Sequence, residues 1–154
     1  MPLTRRSFTA LALASFAMPA FAATEPRWYS DGGDLAAGGR DVVAYFGLKS
    51  GDGVKGSAAH STTHKGITFY FANAENLATF QADPDKYAPR FGSYCAFAMS
   101  SGYFAPGDPD AWTVHDGALY LNVSKTIRAR WALRRASHIA SGDKNWMTHF
   151  PGER

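Results

Sequence analysis

Apolar and polar residues alternate most clearly in two stretches. Ile67, Phe69 and Phe71 are separated by Thr68 and Tyr70, and Trp112, Val114, Leu119 and Leu121 share one face of a segment that folds back at Asp116-Gly117. Period-two alternation marks a half-buried strand, and Asp-Gly between two such runs is a strong hairpin signal. A hairpin is therefore expected over 112–121, with Thr113, His115, Ala118 and Tyr120 on its other face, toward solvent. Lys65-Gly66 divides 59–71 into a second hairpin, pairing 64 with 67, 62 with 69 and 60 with 71. That register turns His60 and His64 toward the apolar face. Asp41-Val-Val-Ala-Tyr-Phe46 is a run of strand formers and predicts a first strand.

Elsewhere the period is helical. Asn73 caps a helix expected over 74–82, with Leu77 and Phe80 inward and Pro84 ending it. Pro89 and Gly92 precede a short helix running to about Gly102, with Cys95 in its first turn. Ser124 caps a last helix over 125–140 that stops at Gly142, its buried stripe being Ile127, Trp131, Ala132 and Ile139. Beyond that helix, Trp146 anchors the chain onto the domain. Residues 23–37 are polar and glycine-rich and read as a flexible linker, and 147–154 as a tail. With no repeat and no second domain visible, the expectation is one small α+β domain over 38–146, two β-hairpins packed against three short helices.

The first 22 residues are read apart from the fold. Thr4-Arg5-Arg6-Ser7-Phe8 is a twin-arginine pattern, an uncharged run from Thr9 to Ala22 follows, and Ala20-Phe21-Ala22 is a small-x-small cleavage signal. The expectation is export to the periplasm through the twin-arginine (Tat) translocase, with no stable membrane span after cleavage. Cleavage after Ala22 leaves 132 residues, and Lys plus Arg falls from 16 to 14 against 13 acids. The basicity belongs largely to the signal, so nucleic acid is not an expected partner. Five basic residues remain between Lys125 and Arg135. They read as a solvated helix face, or alternatively as a docking face for an anionic partner.

Cys95 is the single cysteine, so no internal disulfide forms and no CxxC redox pair exists. Met99 lies one helical turn further, over the same face. A soft thiolate and thioether, with one imidazole from His60 or His64, make a three-coordinate set suited to copper as Cu(I). The same two sulfur side chains serve equally well as apolar core. No oriented Cys-His-Asp set is readable, so the expectation is a protein that is not an enzyme. A third reading is a binding or accessory module with an aromatic cleft, drawn from Tyr45, Tyr70, Tyr94, Phe97, Tyr103 and Tyr120, and a structural buried cysteine.

Taken in order, Gly39-Arg-Asp-Val-Val-Ala-Tyr-Phe46, Phe71-Ala-Asn-Ala-Glu-Asn76, Asp83-Pro-Asp-Lys-Tyr-Ala-Pro89, Gly92-Ser-Tyr-Cys-Ala96 and Trp112-Thr-Val-His-Asp-Gly-Ala-Leu-Tyr-Leu-Asn122 resemble exported YHS-domain proteins. The resemblance runs from about residue 38 to 146. It implies a small α+β module of a kind sometimes attached to heavy-metal transport ATPases, with a role in metal handling and a periplasmic metal-handling protein as partner. By position, Cys95 alone is both part of that pattern and able to ligate. His60 and His64 fall where relatives more often carry aromatic or other residues, His115 where an apolar residue is usual, and Val42 replaces a proline.

Overall fold

Lys65 and Gly66 adopt φ of 47° and 85°, and Asp116 and Gly117 adopt 49° and 72°. Two successive left-handed residues make the turn whose twist matches paired strands, and each turn closes a hairpin. The computed structural model describes residues 25–153; the export signal expected at 1–22 lies outside them. Strands β1 (Ser57–His64) and β2 (Ile67–Phe71) form one antiparallel pair, and β3 (Asp108–His115) and β4 (Ala118–Asn122) the other. Trp112 opposes Leu121 and Val114 opposes Leu119, as the alternation requires. In the first pair His64 opposes Ile67 and Thr62 opposes Phe69, but an irregularity between Ser57 and Ser61 sets Ser57 opposite Phe71. The expected pairing of 60 with 71 is corrected accordingly, and His60 sits inside the bulge.

In the β3–β4 hairpin, β4 is covered on both faces. Trp112, Leu119 and Leu121 enter one hydrophobic cluster with Tyr45, Phe69, Phe71 and Phe80. Tyr120, from the face expected to meet solvent, is 5% exposed and enters a second cluster with Phe91, Met99, Trp131 and Trp146. Strand β4 is thus a wall between two cores. Inside the first, the Phe80 ring lies 4.7 Å from Phe69 and 5.0 Å from Phe71, centroid to centroid; such pairs contribute about 0.5–1.5 kcal/mol each beyond their burial.

The helices follow their caps. α1 (Ala74–Ala82) starts where Asn73 Oδ1 accepts from Asn76 N at 2.8 Å. Pro84 does not simply end it: Asp83 accepts from Lys86 N, and Pro84 opens a further turn, α2 (Pro84–Tyr87). α3 spans Ala96–Ser100. The last helix is two: α4 (Lys125–Leu133), capped by Ser124 accepting from Ile127 N, and α5 (Arg135–His149), divided by a non-helical Arg134. Gly142 is no stop signal. It lies inside α5 because an added Cβ would stand 2.8 Å from the Phe91 ring, and Trp146, one turn on, is 3% exposed and packs beside that ring.

Two further expectations change. Asp41–Phe46 is not a strand but a turn followed by a 3-10 segment, Ala44–Gly47, because Asp41 Oδ1 accepts from the amides of Val43 and Ala44. Within 25–37, expected as linker, Trp28, Ala36 and Ala37 are core residues, and Leu35 bridges to Thr68.

Candidate functional site

The Cys95 segment begins with an unusual bend. Phe91 and Gly92 both take left-handed backbone, φ 57° and 58°, which reverses the chain before Ser93. Tyr94 then bridges to Pro106, and Cys95 to Leu121 in β4. Cys95 has extended backbone and occupies the N-cap of α3, one residue ahead of the expected first turn. Cysteine is a poor cap, and a side chain from elsewhere takes that role: Asn122 Oδ1 accepts from Phe97 N at 3.2 Å. The same oxygen lies 3.7 Å from Cys95 Sγ and accepts the thiol hydrogen. The positive end of α3 is therefore already faced by an oxygen.

Cys95 is 1% exposed and Met99 is fully buried. The Met99 amide donates to the Cys95 carbonyl at 3.0 Å, so the two residues are one turn apart as expected. Met99 belongs to the second cluster, and its carbonyl accepts from Asn145 of α5 at 2.9 Å.

His64 and His115 have other partners. His64 lies edge-on to Phe80 with ring centroids 5.9 Å apart, and its Nε2 is 3.3 Å from Asp85 Oδ1, which also accepts from Lys65 Nζ at 2.7 Å. That lysine bond is the first cause, with His64 a smaller one, of an Asp85 carboxyl below its usual range. His60 is half-buried in the bulge. His115 is half-buried between Asp116 and Arg135. Among the described residues no three His, Cys, Asp or Glu side chains come together in a way that would hold a metal ion. Cys95, His60 and His64 therefore form no such group.

Burial sets what reagents can reach. In the native protein, Cys95 is expected to react with a thiol reagent on the order of 100-fold more slowly than in urea, since access requires local opening. Equal rates in the two states would show that the thiol is open to solvent.

What the Cys95 segment does border is a cavity of about 280 Å³, lined by Pro26, Trp28, Tyr29, Tyr94, Phe104 and Pro106, with Glu25, Ser30 and Ala105. The Cys95 amide donates to the Ala105 carbonyl at 2.9 Å, tying one wall to the next. The polar ends of two of the aromatic walls are satisfied internally. Tyr94 Oη donates to the Pro26 carbonyl at 2.9 Å, and Trp28 Nε1 to the Lys65 carbonyl at 3.0 Å. Burial, with Glu25 adding repulsion, pushes the Tyr94 phenol up to about 12, so it stays a neutral donor at neutral pH. The Phe104 ring stands edge-on to Tyr94 at 4.8 Å.

Of the aromatic residues named from the sequence, Tyr94 alone lines this cavity. Tyr45 and Tyr120 are core, and Tyr103 is 54% exposed. Sequence reasoning missed Trp28, Phe104 and Asn122. Trp28 is the one aromatic residue before Tyr29 in a polar stretch, a signal that could have found it, whereas nothing local marks Asn122 as the cap of a helix 25 residues earlier. Comparison with known proteins finds no family model, no curated protein and no solved structure that matches this chain.

Proposed function

We propose that the chain is an exported, periplasmic YHS-type domain that works as a non-catalytic binding module, with Cys95 as a structural pin and the aromatic cavity as its ligand seat. One observation carries this reading: the cavity walls hang on the Cys95 segment itself, through the Cys95–Ala105 bond and the Tyr94–Pro106 bridge. A cavity of about 280 Å³ walled by Trp28, Tyr29, Tyr94 and Phe104 takes a small molecule with an apolar body, and Glu25 and Ser30 in its lining offer that molecule polar contacts. The mature protein is expected to bind the neutral probe N-phenyl-1-naphthylamine, read by its fluorescence, and Phe104→Ala to weaken that binding about tenfold. Tyr103→Ala, outside the cavity, leaves it unchanged. Equal affinity in wild type and Phe104→Ala would remove the cavity from the function.

Soft-metal ligation is the second reading, in a metal-handling pathway with a periplasmic partner. It is favoured by the placement of Cys95 and Met99 one turn apart in a water-poor site. Thiolate and thioether together suit Cu(I), without calling on His60 or His64. On this reading the mature protein takes up about one Cu(I) in competition with a chromogenic chelator. A Cys95→Ser variant with the same copper stoichiometry as wild type would eliminate the site.

A further inference from the structure

A second cleft, of about 540 Å³, opens between the 48–51 loop, β3 and the two C-terminal helices. Trp112 and Val114 give it an apolar floor, while Lys49, Lys125, Arg128 and Arg135 supply charge, and no aspartate or glutamate lines it. Lys125 Nζ is 2.9 Å from Asp52 Oδ1 in an exposed pair, a weak and easily exchanged contact. Lys49, Arg128 and Arg135 have no carboxylate at ion-pair distance among the described residues.

The two guanidiniums are nevertheless held in place. Arg128 Nη1 donates to the Trp112 carbonyl at 3.0 Å. Arg135 lies 5.5 Å over the Trp131 ring, with Nη1 3.4 Å from His115 Nδ1. A carbonyl and an imidazole orient these groups without cancelling their charge. Arg135 Nε is buried and has no partner among the described residues.

We propose that this cleft binds a small organic polyanion, a di- or tricarboxylate, independently of the aromatic cavity. The cations come from three separate elements, a loop, α4 and α5, so they suit charges spread along a carbon skeleton better than one compact anion. Planar guanidinium forks match carboxylates in two-point contacts, and the Trp112–Val114 floor accepts the skeleton between them.

Calorimetry at low ionic strength on the mature protein tests this with citrate, inorganic phosphate and acetate. Citrate is expected to bind one-to-one, more tightly than phosphate, with no saturable binding of acetate. Arg135→Gln should weaken citrate about tenfold and Lys49→Gln about threefold. Lys49 is exposed and makes no ion pair among the described residues, so its variant reads binding even where Arg135→Gln disturbs the fold. Lys144→Gln, an exposed cation outside the cleft, should leave affinity unchanged. Absence of citrate binding, phosphate or acetate binding at least as tightly, or equal losses in Lys49→Gln and Lys144→Gln would overturn the proposal.

Discussion

Replacing Asp41 by alanine should cost on the order of 4 kcal/mol, enough to remove much of the stability of a domain this size. The carboxylate is fully buried and accepts four hydrogen bonds. Oδ1 takes the amides of Val43 and Ala44 at 3.0 and 3.1 Å, and Oδ2 takes the Ala72 amide at 2.8 Å and the Asn76 side-chain amide at 2.7 Å. One side chain thus closes the 41–44 turn and ties it to the end of β2 and the first turn of α1. Alanine strands several donors at once, and each buried donor left unpaired costs about 1–3 kcal/mol. Asp41→Asn should fall between wild type and Asp41→Ala, because its oxygen still serves one pair of donors while its NH₂ group confronts the other. Urea unfolding measures all three, and an alanine variant within about 1 kcal/mol of wild type would mean that water replaces the carboxylate.

The same residue marks the limit of what was legible in the sequence. A run of Val, Val, Ala, Tyr and Phe has strand character by composition, yet Asp41 at its head offers the backbone a competing partner two and three residues on. The turn wins because it also serves Ala72 and Asn76, which are distant in sequence. Where the signal is local, prediction and structure agree: Lys65-Gly66 and Asp116-Gly117 set their turns, and Asn73 and Ser124 cap their helices. Gly142 shows the opposite failure. A glycine at the end of an amphipathic run looks like a cap, but here its missing side chain is the space that Phe91 fills.

The candidate site was legible only in outline. Spacing placed Met99 one turn beyond Cys95, and it stands there. Spacing could not reveal that Asn122, brought in by β4, faces both the thiol and the first turn of α3. Nor could it show that His64 packs against Phe80 and meets Asp85. The basic run between Lys125 and Arg135 looked like one helix face. The break at Arg134 and the 48–51 loop make part of it a cleft wall.

Gly92→Ala should be as damaging as the loss of Asp41, for a different reason. Gly92 has φ +58°, and an added Cβ would lie 1.9 Å from the Arg27 carbonyl oxygen. The Gly92 carbonyl meanwhile accepts from the Tyr29 amide at 2.8 Å. Gly66 separates the two penalties, since it has φ +85° and nothing within 4 Å of an added Cβ. Gly66→Ala should therefore cost only the left-handed strain, about 1 kcal/mol. Gly92→Ala adds an overlap with backbone that no side-chain rotation relieves, and should cost about 3 kcal/mol or more. Relief requires the 25–30 segment to leave the bend, taking Pro26, Trp28 and Tyr29 out of the aromatic cavity. Folded Gly92→Ala protein should accordingly be cut by trypsin at Arg27 faster than wild type and lose affinity for N-phenyl-1-naphthylamine. Equal unfolding midpoints for Gly66→Ala and Gly92→Ala would show that the bend yields freely, and that the first residues of the domain are not what closes the cavity.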